Sequence, residues 1–301
     1  MKKLLAIAFL CLQPFAATVA ADSCEASRVK LQMLGTQGPE LWNNKASSSY
    51  LVWLDNKARV VIDAGFGSVQ NFEASGAQFN DLQAILISHF HADHSADLPA
   101  YIKGGYFENR QADLTILGPA EGKVSSSATQ FVARLFGNKG VYPYLAKYLN
   151  GDASYQLKPV DITLSKAPQT FIESNGIKVT GVSTHHGIFP AVAYRVDAAG
   201  CSLVFSGDMN GDYETLPLLA KDADILVAHN AVPENATGVA AALHMKPSKI
   251  GEIAQKAMVK TVLMTHLMKR TMGVKTDTLN HVKANFMGRV IFPQDRQVFK
   301  P

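Results

Sequence analysis

Residues 84–98, AILISHFHADHSADL, constrain this chain more than any other stretch. An apolar run reads as a buried strand, and His89, His91, Asp93 and His94 then follow within six positions. Four polar groups that cost free energy to bury need a common reason, and imidazole with carboxylate is a donor set for Zn²⁺, Mn²⁺ or Fe²⁺. No cysteine stands nearby, which argues against a thiolate site. Side chains two apart on a strand share a face, so His89 and His91 are expected to converge on one ion, while Asp93 and His94, beyond the strand end, serve a second.

Two ions need further ligands. THHG (184–187), FSGDM (205–209) and LMTHL (263–267) each place a polar residue at the end of an apolar run, where a rigid scaffold can present it. Ten strand-like runs recur along the chain, at 29–34, 49–54, 59–63, 84–88, 114–117, 177–182, 191–196, 202–207, 224–228 and 261–265. Helical patterns such as PSKIGEIAQKAM lie between several of them. That alternation predicts a layered α/β domain over 22–301. Residues 125–158 break the pattern: aromatics interrupted by Gly and Pro suggest a helical insertion that lies as a lid over the site. The same aromatics would serve equally as a local core or as the seam of a homodimer.

The first residues combine Lys2 and Lys3, an apolar stretch from Leu4 to Leu12, and small residues around Ala20 and Ala21. That is the layout of a secretory signal peptide over 1–21, giving a periplasmic or secreted protein with no membrane attachment after cleavage. Without the two leading lysines the net charge of +4 falls to about +2, with no basic run, which argues against a nucleic-acid partner and for a small-molecule substrate. Cys24 and Cys201 would then be an even pair in an oxidising compartment, where a disulfide is permitted.

HFHADH has the H-x-H-x-D-H form of the metallo-β-lactamase superfamily of metal-dependent hydrolases, and HHG, SGD and the late TH resemble its further ligand motifs in order. LGTQGP (34–39) and VIDAGFG (61–67) resemble two early turns of the branch that includes ribonuclease Z and arylsulfatase-like hydrolases. The resemblance implies a four-layer αββα sandwich carrying two divalent ions, zinc foremost. His89, His91 and His186 would hold one, Asp93, His94 and His266 the other, and Asp208 would bridge. His186 is preferred to His185 because the branch writes a His-Gly step before a Tyr-Arg strand, matched here by Tyr194 and Arg195. Asp93 and His244 become the candidate catalytic groups, and Asp63 either orients a ligand histidine or is only a turn residue. His229 reads as a loop residue and His281 as a helix-surface residue.

In that branch a glutamate follows the first of two further histidines, and Asn230 stands in its place here. This departure, with the leader and the weak charge, points away from tRNA processing. The expected activity is hydrolysis of sulfate or phosphate esters. The alternatives are a lactonase or β-lactamase-like hydrolase and, further off, a metal-dependent binding protein without activity.

Overall fold

The structure is a computed structural model, and it describes residues 23–301. The signal-peptide segment therefore lies outside the described residues, and no helix among those described is long and apolar enough to cross a membrane. In chain order the strands are β1 Val29–Gly35, β2 Ser49–Leu54, β3 Lys57–Ile62, β4 Ala84–Leu86, β5 Leu114–Pro119, β6 Leu157–Ile162, β7 Gln169–Ser174, β8 Ile177–His186, β9 Phe189–Ala198, β10 Cys201–Phe205, β11 Ile225–His229, β12 Thr261–Thr265, β13 Arg289–Ile291 and β14 Val298–Phe299. They form two seven-stranded sheets, ordered β14-β1-β2-β3-β4-β5-β6 and β13-β12-β11-β10-β9-β8-β7.

The two-residue period of the strands sorts side chains between layers. In β2, Tyr50, Val52 and Leu54 face the core between the sheets. Leu51 and Trp53 of the same strand face the opposite way, into an outer core. In β11, Ile225 and Val227 point between the sheets, and Leu226 and Ala228 point outward. Both faces of these strands are apolar because helices cover the outer faces; β11 lies parallel to both its neighbours, as strands buried on both faces commonly do, whereas β2 is antiparallel to β1 and β3. Helices Ser68–Ala74, Leu98–Gly105 and Ala128–Phe136 lie on the first sheet's side, and Pro247–Lys256 and Lys275–Asn285 on the second's. The result is the expected αββα sandwich.

All ten expected strands are present, and four others, β6, β7, β13 and β14, carry too little apolar alternation to stand out: β7 is exposed or half-exposed throughout. A Cys24–Cys201 disulfide ties the segment before β1 to the start of β10, and so joins the two sheets covalently. The segment expected as a lid is helical at Ala128–Phe136 and Lys147–Asn150, and its end overlaps β6. Its aromatics Phe136, Tyr148 and Tyr155 are buried in the outer core of the first sheet, so most of its apolar surface serves local packing. Phe131 alone among them is tied to the histidine loop, stacked on Phe90 at 4.5 Å.

Candidate metal centre

The histidine motif is less strand-like than its spacing suggests. β4 stops at Leu86, and His89 to His91 run on as an extended loop into the helical turn Ala92–Ser95, for which His91 is the N-cap. Asp63 explains the departure. Its Oδ1 accepts from the Ser88 amide at 2.7 Å, and its Oδ2 accepts from the Ser88 hydroxyl at 2.9 Å. Oδ2 also bonds His94 Nδ1 at 2.8 Å, which fixes that ring and turns Nε2 toward the cluster. Asp63 is therefore the orienting carboxylate and not merely a turn residue.

The remaining donors arrive from the same edge of both sheets. His186 ends β8, Asp208 follows β10, and His266 follows β12 with φ of 53°. His89, His91 and His186 form one group whose ring nitrogens lie within 4.8 Å of one another, and His94, Asp208, His229 and His266 form another. Asp208 stands between them. Its Oδ2 is 3.6 Å from His94 Nε2 and 3.9 Å from both His89 Nε2 and His186 Nε2. Its Oδ1 is 3.3 Å from His266 Nε2. Asp93 Oδ2 reaches His266 Nε2 at 3.1 Å and His94 Nε2 at 3.4 Å.

Several of these atoms fit an ion. His94 Nε2, His186 Nε2 and His244 Nδ1 are buried without a hydrogen-bond partner, a state that costs about 1–3 kcal/mol for each polar atom left so. His186 donates its other nitrogen, Nδ1, to the Leu243 carbonyl at 3.0 Å, which leaves Nε2 as the free lone pair. His185 is outside every group: its ring sits edge-on to Tyr213 at 5.1 Å. His281 is half-buried beside Asp277 on Lys275–Asn285 and belongs to none of the donor groups.

His229, expected as a loop residue, is instead buried at the end of β11 and is the main site residue that sequence reasoning passed over. Its Nδ1 lies 2.8 Å from Asp208 Oδ1, and Tyr50 bonds its Nε2 at 2.8 Å. A signal exists in the chain: β10, β11 and β12 are consecutive parallel strands, and the ends of β10 and β12 lead directly into the donors Asp208 and His266.

Electrostatics divides the centre. Burial holds His89, His91 and His186 below the usual imidazole range, with neighbouring histidines adding to the effect. Burial acts the same way on His94 and His266, but Asp93, Asp208 and, for His94, Asp63 outweigh it and raise both. Burial pushes Asp93 and Asp208 upward, and the surrounding imidazoles overcome it, so both carboxyls fall well below their ordinary range. His244 is pushed down to about 3 by burial, only partly opposed by Asp208.

A family model described as the β-lactamase superfamily domain matches residues 58–267, most of the chain and every candidate donor. The chain belongs to that superfamily. It is a metal-dependent hydrolase, and its buried His/Asp cluster offers a donor set that could hold a divalent metal. Among relatives, a ribonuclease Z of Picrophilus torridus is 27% identical over 289 residues, covering 87% of this chain and 92% of its own length. A metallo-β-lactamase fold protein of Bacillus subtilis, YhfI, superposes with a TM-score of 0.72 at 20% identity, over 91% of this chain and 99% of its own. Human tRNase Z, short form, does so with a TM-score of 0.65 at 16% identity, over 90% and 98%.

The ribonuclease Z relatives overturn the expectation of an exported sulfate or phosphate ester hydrolase, along with its lactonase, β-lactamase and non-catalytic alternatives. They equally overturn the expectation of a small-molecule substrate and no nucleic acid. The reason is physical. Net charge averages the whole surface and does not measure the field at one cleft. Asn230 bears on how fast a proton is delivered to the leaving group, and a leader on where the protein works; neither changes which bond the centre breaks.

Proposed function

We propose that the chain is a metal-dependent ribonuclease that hydrolyses phosphodiester bonds. In this reading His89, His91 and His186 hold one ion, Asp93, His94 and His266 hold a second, and Asp208 is shared. The observation that carries it is the place of Asp208, whose Oδ2 lies within 3.9 Å of ring nitrogens from His89, His94 and His186. Zn²⁺ suits an imidazole-rich set without cysteine. When bound, such ions act as Lewis acids on a phosphoryl oxygen and lower the pKa of bound water.

The chain's own residues do the rest. Asp93 and Asp208 stay ionised at any working pH, because the imidazoles around them keep both carboxyls far below their ordinary range. Asp63 and the Leu243 carbonyl fix which nitrogen of His94 and of His186 carries the proton. His244, neutral with a pKa of about 3, offers a leaving oxygen a hydrogen bond from an uncharged ring. Asn230 supports this limit on His244: it is buried, with its amide given to the Val232 carbonyl, and supplies no negative charge to raise the imidazole.

Zinc-loaded protein should shorten structured and single-stranded RNA, lose that activity on chelation and regain it with metal. A fully loaded protein that leaves both RNAs intact would defeat the proposal. We also propose that residues 1–21 are removed on export, leaving 22–301 as one hydrolase domain into which 125–158 is inserted. The Cys24–Cys201 disulfide supports an oxidising compartment. N-terminal sequencing of the exported protein should begin near Ala21 or Asp22, and an intact Met1 would reverse the assignment.

A further inference from the structure

Beside the metal centre lies a cavity of about 540 Å³, lined by Lys123, Lys166, Thr184, Phe189 and Tyr213 among others. This is within the ~300–1,000 Å³ of ligand sites. We infer that it is a nucleotide subsite, which receives the base and phosphate next to the bond being cut; the inference rests on reading the chain as a ribonuclease.

One wall belongs to the metal centre itself. Phe189 packs its ring 4.3 Å from His91 and 6.1 Å from His186. Gly187, also in the lining, directly follows His186. A unit bound here is therefore adjacent to the candidate metal donors His91 and His186 and not at a distant surface. The lining also carries two cations. Lys123 and Lys166 are exposed, and neither is paired with a carboxylate among the described residues. Lys166 Nζ lies 4.4 Å over the Tyr213 ring. Lys123 is held near by its neighbour: a Cβ on Gly122 would come within 2.3 Å of Pro190 Cγ, so only glycine lets this segment close on the β8–β9 hairpin.

Thr184 adds an independent sign of a ligand. It is 4% exposed, lines the cavity, and its hydroxyl has no hydrogen-bond partner. The chemistry of the lining selects the occupant. Two unpaired lysines suit phosphates, an aromatic face at Phe189 suits a base by stacking, and a spare hydroxyl suits a sugar or base edge. Inorganic phosphate would leave the aromatic wall unused, and an uncharged apolar ligand would leave the lysines without partners.

The test is calorimetric titration of metal-loaded protein with adenosine 5′-monophosphate, alongside KM for a single-stranded RNA oligonucleotide at several salt concentrations. Lys123→Ala/Lys166→Ala should weaken nucleotide binding at least tenfold and reduce the salt slope of RNA binding by about 0.7 for each phosphate no longer neutralised. Phe189→Leu, which keeps an apolar side chain against His91, should raise KM for RNA five- to tenfold with metal content unchanged. Lys178→Ala, on a surface lysine paired with Glu173, should alter neither quantity. If the variants bind nucleotide and RNA as the wild type does while RNA is still cut, the subsite is wrong and the ribonuclease reading stands. If the wild type cuts no RNA yet binds nucleotide through these residues, the subsite stands and the ribonuclease reading falls.

Discussion

The two halves of the metal centre are built from different donors and hold protons differently. His89, His91 and His186 bring no carboxylate of their own, and burial leaves them neutral. His94 and His266 sit against Asp93 and Asp208, which keep them protonated to higher pH despite equal or deeper burial. A carboxylate in a donor set thus does two opposed things: it adds charge for a cation, and it makes that cation compete with protons for the neighbouring imidazoles.

The largest effect should come from removing what the halves share. Asp208→Ala takes away a carboxylate that stands within 3.9 Å of donors of both groups. Elemental analysis should show both ions lost or nearly so, and RNA cleavage should fall by about a thousandfold or more, since metal stabilisation of the transition state is worth several kcal/mol. Two ions retained in that variant would place the bridge elsewhere and dissolve the comparison.

A smaller change should fall on one half only. His186→Ala should cost one ion per chain, with a loss of affinity beyond the ~10–100-fold typical when an outer partner of a ligand is removed. His185→Ala should keep both ions, because that ring packs on Tyr213 and lies outside the cluster. The opposite result for the pair would exchange their roles.

Acidification should separate the halves without mutation. His94 and His266 have raised pKa values, so their protons begin to compete with metal while the pH is still above the ordinary imidazole value of about 6.5. His89, His91 and His186 are lowered, so their half is not challenged until the pH is below that value. Affinity should fall about tenfold per pH unit for each proton displaced. In metal-free protein the same signs make His94 and His266 stabilise the fold at low pH, a contribution lost as pH rises through their folded values. Equilibrium dialysis from about pH 8 to about pH 5 should release one ion first, and simultaneous loss of both would remove the asymmetry.

What the sequence disclosed follows from where chemistry and periodicity coincide. β2 and β12 are short continuous apolar runs, and β8 and β9 alternate over part of their length, so they were legible. β7 packs against one neighbour and stays largely exposed, and β14 is two residues long; neither leaves a pattern. The clustering of the candidate donors His89, His91, Asp93, His94, Asp208 and His266 was legible because dense polar groups at apolar strand ends are costly without a purpose. His229 was not, since one histidine after a strand has no such excess, and its purpose exists only once parallel pairing of β10 to β12 brings it to Asp208. For the aromatics of 125–158 the sequence leaves a cover for the site and a local core equally open, because number alone does not say what a ring packs on; most of them fill the space outside the first sheet.

The smallest expected effect tests whether support for Asp208 reaches into the core. Tyr50, buried between the sheets, bonds His229 Nε2 at 2.8 Å and Thr265 Oγ1 at 2.9 Å, and stacks on Phe205 at 5.6 Å. Tyr50→Phe keeps the ring and removes only the hydroxyl. His229 Nε2 and the Thr265 hydroxyl then lose a partner, which should cost about 1–3 kcal/mol of stability. If Tyr50 serves packing alone, the melting temperature should drop equally in metal-free and metal-loaded protein. If it holds His229, and through it Asp208, the loaded protein should lose more, because ligand binding adds stability in proportion to the logarithm of affinity. A few-fold weakening of one ion would appear as a further drop of about 0.5–1 kcal/mol in the loaded form. Equal shifts in the two forms would confine Tyr50 to the core, leaving Asp208 to be positioned by His229 alone.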